Sequence, residues 1–153
     1  YVLVTFICCR STVVGNSMEE TLSNDNTVLI NRISYAFNGP KRFDCIAFEQ
    51  DSVDSSKIYI KRVIGLPGET VQIKDGRVYI NDSQLDDFVD TSILTPGLAA
   101  EEITLGADEY FVLGDNRNNS EDSRYANIGN IKKDYIIGKA WFRIAPFSEI
   151  GFL

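Results

Sequence analysis

No stretch of this 153-residue chain carries a sustained helical period. Its apolar residues fall instead in short β-branched and aromatic runs divided by Gly, Pro, Asn and Asp, a pattern that fits strands and turns. Runs at Thr27-Val28-Leu29-Ile30-Asn31-Arg32-Ile33, Cys45-Ile46-Ala47-Phe48, Tyr110-Phe111-Val112-Leu113 and residues 136–144 read as strands. Residues 70–74 and 77–81 alternate on either side of Asp75-Gly76, which predicts a hairpin with positive φ at both turn residues. From Asp82 to Gly106 the pattern dissolves into acidic and small residues around Pro96-Gly97, a small lobe or a flexible loop. The expected fold is all-β: antiparallel sheets forming a core over 1–73 and 107–153, with a small inserted lobe over 74–106.

The chain has no histidine, which excludes a Ser-His-Asp or Cys-His site and most zinc chemistry. Its three cysteines are odd in number and form no C-x-x-C, so neither a disulfide framework nor a metal site is expected. A formal charge of −7 without a basic run argues against a nucleic-acid partner. A nucleophile in this chain needs a base other than imidazole.

One lysine is placed to be that base. In Ile58-Tyr59-Ile60-Lys61-Arg62-Val63-Ile64-Gly65-Leu66-Pro67-Gly68-Glu69, strand alternation puts Lys61 with Tyr59 and Val63, and Arg62 with Ile60 and Ile64. An ammonium among apolar groups tends to lose its proton; the competing reading is a lysine that blunts an exposed edge strand. Ser17 follows the break at Gly15-Asn16 and can present its hydroxyl, or can cap a short helix through Ser17-x-x-Glu20. In Gly114-Asp115-Asn116-Arg117-Asn118-Asn119-Ser120-Glu121-Asp122-Ser123-Arg124, extended geometry puts Ser120, Asp122 and Arg124 on one face. They form either a hydrogen-bonded cluster or a solvated polar turn.

Taken together, Gly-x-Ser-Met, Tyr-Ile-Lys-Arg-Val-Ile-Gly-Leu-Pro-Gly-Glu and Gly-Asp-Asn-Arg-x-x-Ser-x-Asp-Ser-Arg, in this order, resemble the bacterial type I (leader) signal peptidases. The resemblance implies a serine endopeptidase that removes N-terminal signal peptides from exported preproteins after small residues of Ala-x-Ala type, without a cofactor. It implies Ser17 as nucleophile, Lys61 as general base, Ser120 orienting the lysine, and Asp122 with Arg124 as a supporting ion pair. The backbone at Ser17 and Gly15 would hold the oxyanion, since Gly15 stands where some members carry a serine that donates its hydroxyl. Val13, Met18, Tyr59 and Ile60 occupy the substrate-pocket positions, though Val13 and Ile60 taken singly read as core. Catalysis would belong to the core and not to the lobe at 74–106.

Two departures touch turn geometry: Glu20 stands where proline is usual, and Phe43 where glycine is usual before Asp44. The family also implies a monomer on the cytoplasmic membrane, held by a single-pass anchor upstream of Tyr1 with the catalytic domain on the extracytoplasmic face. The apolar residues 1–9 fit either the stub of that anchor or a first strand. A non-catalytic relative that assembles or binds surface proteins is the alternative, and such a relative is expected to lack the serine or the lysine. A self-cleaving repressor with a Ser-Lys pair would bring a DNA-binding domain and a cleavable linker, and neither is visible.

Overall fold

The computed structural model describes residues 8–49 and 57–153. Their strands are β1 (Cys8–Thr12), β2 (Thr27–Asn31), β3 (Cys45–Glu49), β4 (Ile58–Gly65), β5 (Thr70–Lys74), β6 (Arg77–Ile80), β7 (Ser83–Gln84), β8 (Ile103–Thr104), β9 (Glu109–Leu113), β10 (Ile131–Lys132), β11 (Ile136–Ala145) and β12 (Gly151–Phe152). Short 3-10 turns at Gly97–Ala100, Lys133–Tyr135 and Phe147–Glu149 are the only helical residues among those described. The all-β expectation is borne out. The apolar start of the chain lies outside the described residues up to position 7, and Cys8 and Cys9 open β1. No helix among the described residues is long and apolar enough to cross a membrane.

The strands form two antiparallel sheets, one in the order β1-β2-β11-β3-β4-β9-β10 with β12 on β11, the other in the order β7-β6-β5-β8. The long β11 is the seam of the larger sheet, and it bulges between Ile136 and Gly138, between Ala140 and Phe142, and again before Ala145. Such bulges bend a strand and increase its twist. The smaller sheet shows strict alternation: Val71, Ile73, Val78 and Ile80 turn inward onto Ile64, Phe111 and Leu113 of the larger sheet. Its β5–β6 hairpin turns at Asp75 and Gly76 with φ of 50° and 74°, the left-handed pair the sequence predicts. The excursion after Asp82 is anchored rather than loose. Ile93, Ala99 and Leu105 are buried in the core between the sheets, and Asp87 pairs with the buried Arg117.

A second core, under β1 and β2, gathers Val13, Met18, Leu22, Val28, Ile30, Cys45, Ala47, Ile60 and Ala140. A third gathers Ile46, Phe48, Val63, Tyr110, Val112, Ile128 and Ile131. Because β4 touches all three, its run of buried residues from Ile60 to Gly65 is continuous, which is why apolar residues surround Lys61 and Arg62 in the sequence without alternating with polar ones.

The turn at Phe43 keeps a glycine-like shape without glycine. Phe43 has φ 69°, a conformation that costs a residue with a Cβ roughly 1–2 kcal/mol. Its ring packs edge-on against Phe88, centroids 5.6 Å apart, and this contact offsets part of that cost. At the other departure, the Glu19–Glu20 peptide bond is cis.

Candidate active site

Ser17 and Lys61 come from segments 44 positions apart and meet. Lys61 Nζ lies 2.7 Å from Ser17 Oγ and 3.2 Å from the Ile60 carbonyl. The lysine is buried, with Tyr59 alongside at 6.0 Å from Nζ to the ring centroid. Burial lowers its pKa to about 8, against the opposing fields of Asp122, Glu121 and Asp115. At that value a useful fraction of Lys61 is neutral near pH 8, and a neutral amine can accept the Ser17 proton.

Ser17 sits on a turn rather than a helix. Glu19 N–H donates to the Asn16 carbonyl and Leu22 N–H to Met18, but the turn goes no further. The polar stretch after β9 clamps this turn: Asn116 N–H donates to the Ser17 carbonyl at 3.1 Å, and Asn116 Nδ2 to the Asn16 carbonyl at 3.0 Å. Of the two expected oxyanion donors, Gly15 N–H is engaged by Asn24 Oδ1 at 2.9 Å.

Arg62, next to Lys61, goes to different surroundings, as alternation requires. Its Nε and Nη2 donate to the two oxygens of Asp115 at 2.8 and 2.6 Å, and its Nη1 donates to the Phe43 carbonyl at 2.8 Å. Thr21 Oγ1 donates to the same carboxylate at 2.6 Å. The pair is almost fully buried, and its bidentate geometry satisfies both charges.

Asp122 and Arg124 form a second buried bidentate pair, with N···O distances of 2.7 and 2.8 Å. Gly114 N–H donates to Asp122 at 3.0 Å. The segment is a turn rather than an extended strand, and Arg124 reaches the Ser120 carbonyl, not its hydroxyl, at 3.3 Å. Ser120 Oγ is buried and has no hydrogen-bond partner among the described residues, so the expected bond from Ser120 to Lys61 is not made in this structure. The Ser120 side chain and the Ser17 carbonyl both border Gly114, where a Cβ would collide with each of them. Gly114→Ala should therefore displace the serine turn and lower kcat by about 10²-fold, since misplacement by about 1 Å costs that much. Kinetics on the variant, with its melting temperature measured alongside, check this; unchanged kcat would contradict it.

Val13, Met18, Tyr59, Ile60, Ser17 and Lys61 all line one groove of about 570 Å³. Among the described strands β1 pairs only with β2, and β9 takes the outer edge of β4 only from Arg62 onward.

A family model described as signal peptidase, peptidase S26, matches residues 1–145. The chain belongs to the signal peptidase family. It is similar to a signal peptidase I of Leptolyngbya laminosa, 39% identical over 96% of this chain and 73% of that one. It is also similar to a signal peptidase I of Bacillus caldolyticus, 35% identical over 96% of this chain and 85% of that one. A crystal structure of a signal peptidase I from Enterococcus faecalis V583 superposes with a TM-score of 0.54 at 36% identity, covering 67% of this chain and 97% of that one. As a signal peptidase this chain is a hydrolase of the serine-protease kind. What its sequence left unread are the supports: Asp115 as the partner of Arg62, Asn116 as the clamp on the serine turn, and Asn24 on Gly15. Their side chains lie in the polar, turn-forming stretches, but no local spacing says which partner each one takes.

Proposed function

We propose that this signal peptidase cleaves exported preproteins with Ser17 as nucleophile and Lys61 as general base, through an acyl-enzyme formed on Ser17 Oγ. The 2.7 Å approach of a buried lysine amine to the serine hydroxyl carries this reading. Neutral Lys61 accepts the hydroxyl proton as Oγ attacks the scissile carbonyl. The leaving amine takes that proton, and Lys61 then activates the water that hydrolyses the ester. The Ser17 N–H serves the oxyanion. Gly15 contributes its N–H when substrate displaces Asn24. Ser120 fixes the rotamer of Lys61 by packing on the serine turn, and Asp122 with Arg124 holds that packing in place.

Substrate lies extended in the groove, adding a strand between the open edges of β1 and β4. Val13, Met18, Tyr59 and Ile60 fill the floor, so only small side chains fit before the cut, an Ala-x-Ala preference. Catalysis stays with the larger sheet, and the insertion over 74–106 takes no part. The protein acts as a monomer at the extracytoplasmic face of the cytoplasmic membrane, held there by a single-pass anchor.

A pH–rate profile on a preprotein with an Ala-x-Ala site tests the base. Because the pKa of Lys61 is lowered to about 8, kcat/KM should rise about tenfold per unit below pH 8 and level off above it. A rate that is flat, or that falls, between pH 6 and pH 9 excludes Lys61 as the base.

A further inference from the structure

Among the described residues, Glu121 is the one carboxylate that lines the groove beside Ser17 and Lys61, and the exposed Lys57, four positions before Lys61 on the chain, is a further cation of its lining. The groove floor consists of residues withdrawn from solvent, Val13, Met18 and Ile60, whereas Glu121 is exposed and stands on the rim. It shares the groove lining with Ser17 and Lys61, follows Ser120, which like the Ser17 carbonyl borders Gly114, and its charge acts on Lys61. Its hydrogen-bond partner is a neutral amide, Asn127 Nδ2 at 3.4 Å. None of the ion pairs among the described residues includes it.

Side chains of an extended peptide alternate between faces. When residues −1 and −3 before the cut turn down into the apolar floor, residue −2 turns up toward the rim. We propose that Glu121 is a specificity-determining residue that favours basic and disfavours acidic side chains at position −2 of the preprotein. The inference rests on Ser17 and Lys61 being the reacting pair, since their position sets which substrate residue meets the rim. An exposed charge pair shifts an equilibrium by about two- to fivefold. Exchanging attraction for repulsion doubles that effect on a logarithmic scale, so Lys over Glu at −2 should be preferred roughly tenfold. Burial, the largest contribution, disfavours the charged form of Lys61, whereas Asp122 and, after it, Glu121 favour that form. That influence acts alike on every substrate and cancels in a ratio.

The test compares three peptides with Ala at −1 and −3 that differ only in Lys, Gln or Glu at −2. The enzyme is the wild type, Glu121→Gln or Glu121→Lys. The Lys-to-Glu ratio of kcat/KM should be roughly ten in the wild type, near one in Glu121→Gln, and inverted in Glu121→Lys. It should shrink at about 1 M salt, where the Debye length is about 3 Å. The same peptides titrated into Ser17→Ala should bind in the same order. A ratio near one in the wild type, or one that Glu121→Lys leaves unchanged, overturns the inference. Cleavage that persists in Ser17→Ala condemns the assigned nucleophile instead, while the ratios still decide the role of Glu121.

Discussion

Lys61→Met should lose cleavage by roughly 10⁴-fold, with Ser17→Ala losing about as much and the double variant little more than either alone. In the proposed mechanism the three losses coincide, since the two groups act in one proton transfer and removing either disables the step. Methionine is the informative replacement. It keeps an unbranched chain of similar volume among Tyr59 and the apolar groove floor, so packing survives while the amine is lost. Stability should move the other way. Lys61 has its pKa lowered from 10.5 to about 8, so between these values the unfolded chain binds more protons than the folded one. The penalty of the buried ammonium is then fully present below pH 8 and disappears as pH rises toward 10.5. Lys61→Met should thus gain on the order of 3 kcal/mol at pH 7 and nothing near pH 11. Urea denaturation at the two pH values, beside single-turnover kinetics, checks both halves. Residual activity within about tenfold of wild type would exclude Lys61 as the base.

The second large effect is on the fold. Asp122→Ala should destabilise the protein by about 3–5 kcal/mol, because it strands the Arg124 guanidinium in the interior. Asp122 is fully buried and Arg124 nearly so. What remains to the arginine is the Ser120 and Thr95 carbonyls at 3.3 and 3.2 Å, which do not neutralise it. For a domain of this size the loss corresponds to a drop in Tm of roughly 6–20 °C. Replacing both partners by apolar residues of similar volume should recover much of it, since the desolvation cost of both charges then disappears. A single-variant Tm within about 2 °C of wild type would show that the pair holds little of the fold.

The strands, the Asp75-Gly76 hairpin and the separation of Lys61 from Arg62 were legible because each depends on local alternation or on turn chemistry. The pairing of Asp122 with Arg124 was legible for a different reason. Two residues apart, they meet in a turn as readily as on a strand, so the wrong local geometry still gives the right partner. The hydroxyl of Ser120 fared differently, since its direction depends on which backbone it packs against, here Gly114. Asp115, Asn116 and Asn24 were illegible for the same physical reason: their partners lie 53, 100 and 9 positions away, and only the assembled sheets select them. The excursion after Asp82 looked unstructured because Ile93, Ala99 and Leu105 are too widely spaced to make a period, although they are enough to anchor it.

The seam strand β11 pairs with β2, more than a hundred residues earlier, and with β3, about ninety residues earlier. Contacts of such separation form late, because the chain must first close long loops, and all-β topologies fold on a millisecond-to-second scale. Ser17, Lys61 and Asn116 converge only on that closed framework. With Ser17 and Lys61 as the proposed reacting pair, a chain that has not closed this framework should not hydrolyse peptides, and regained activity during refolding should report completion of the sheet.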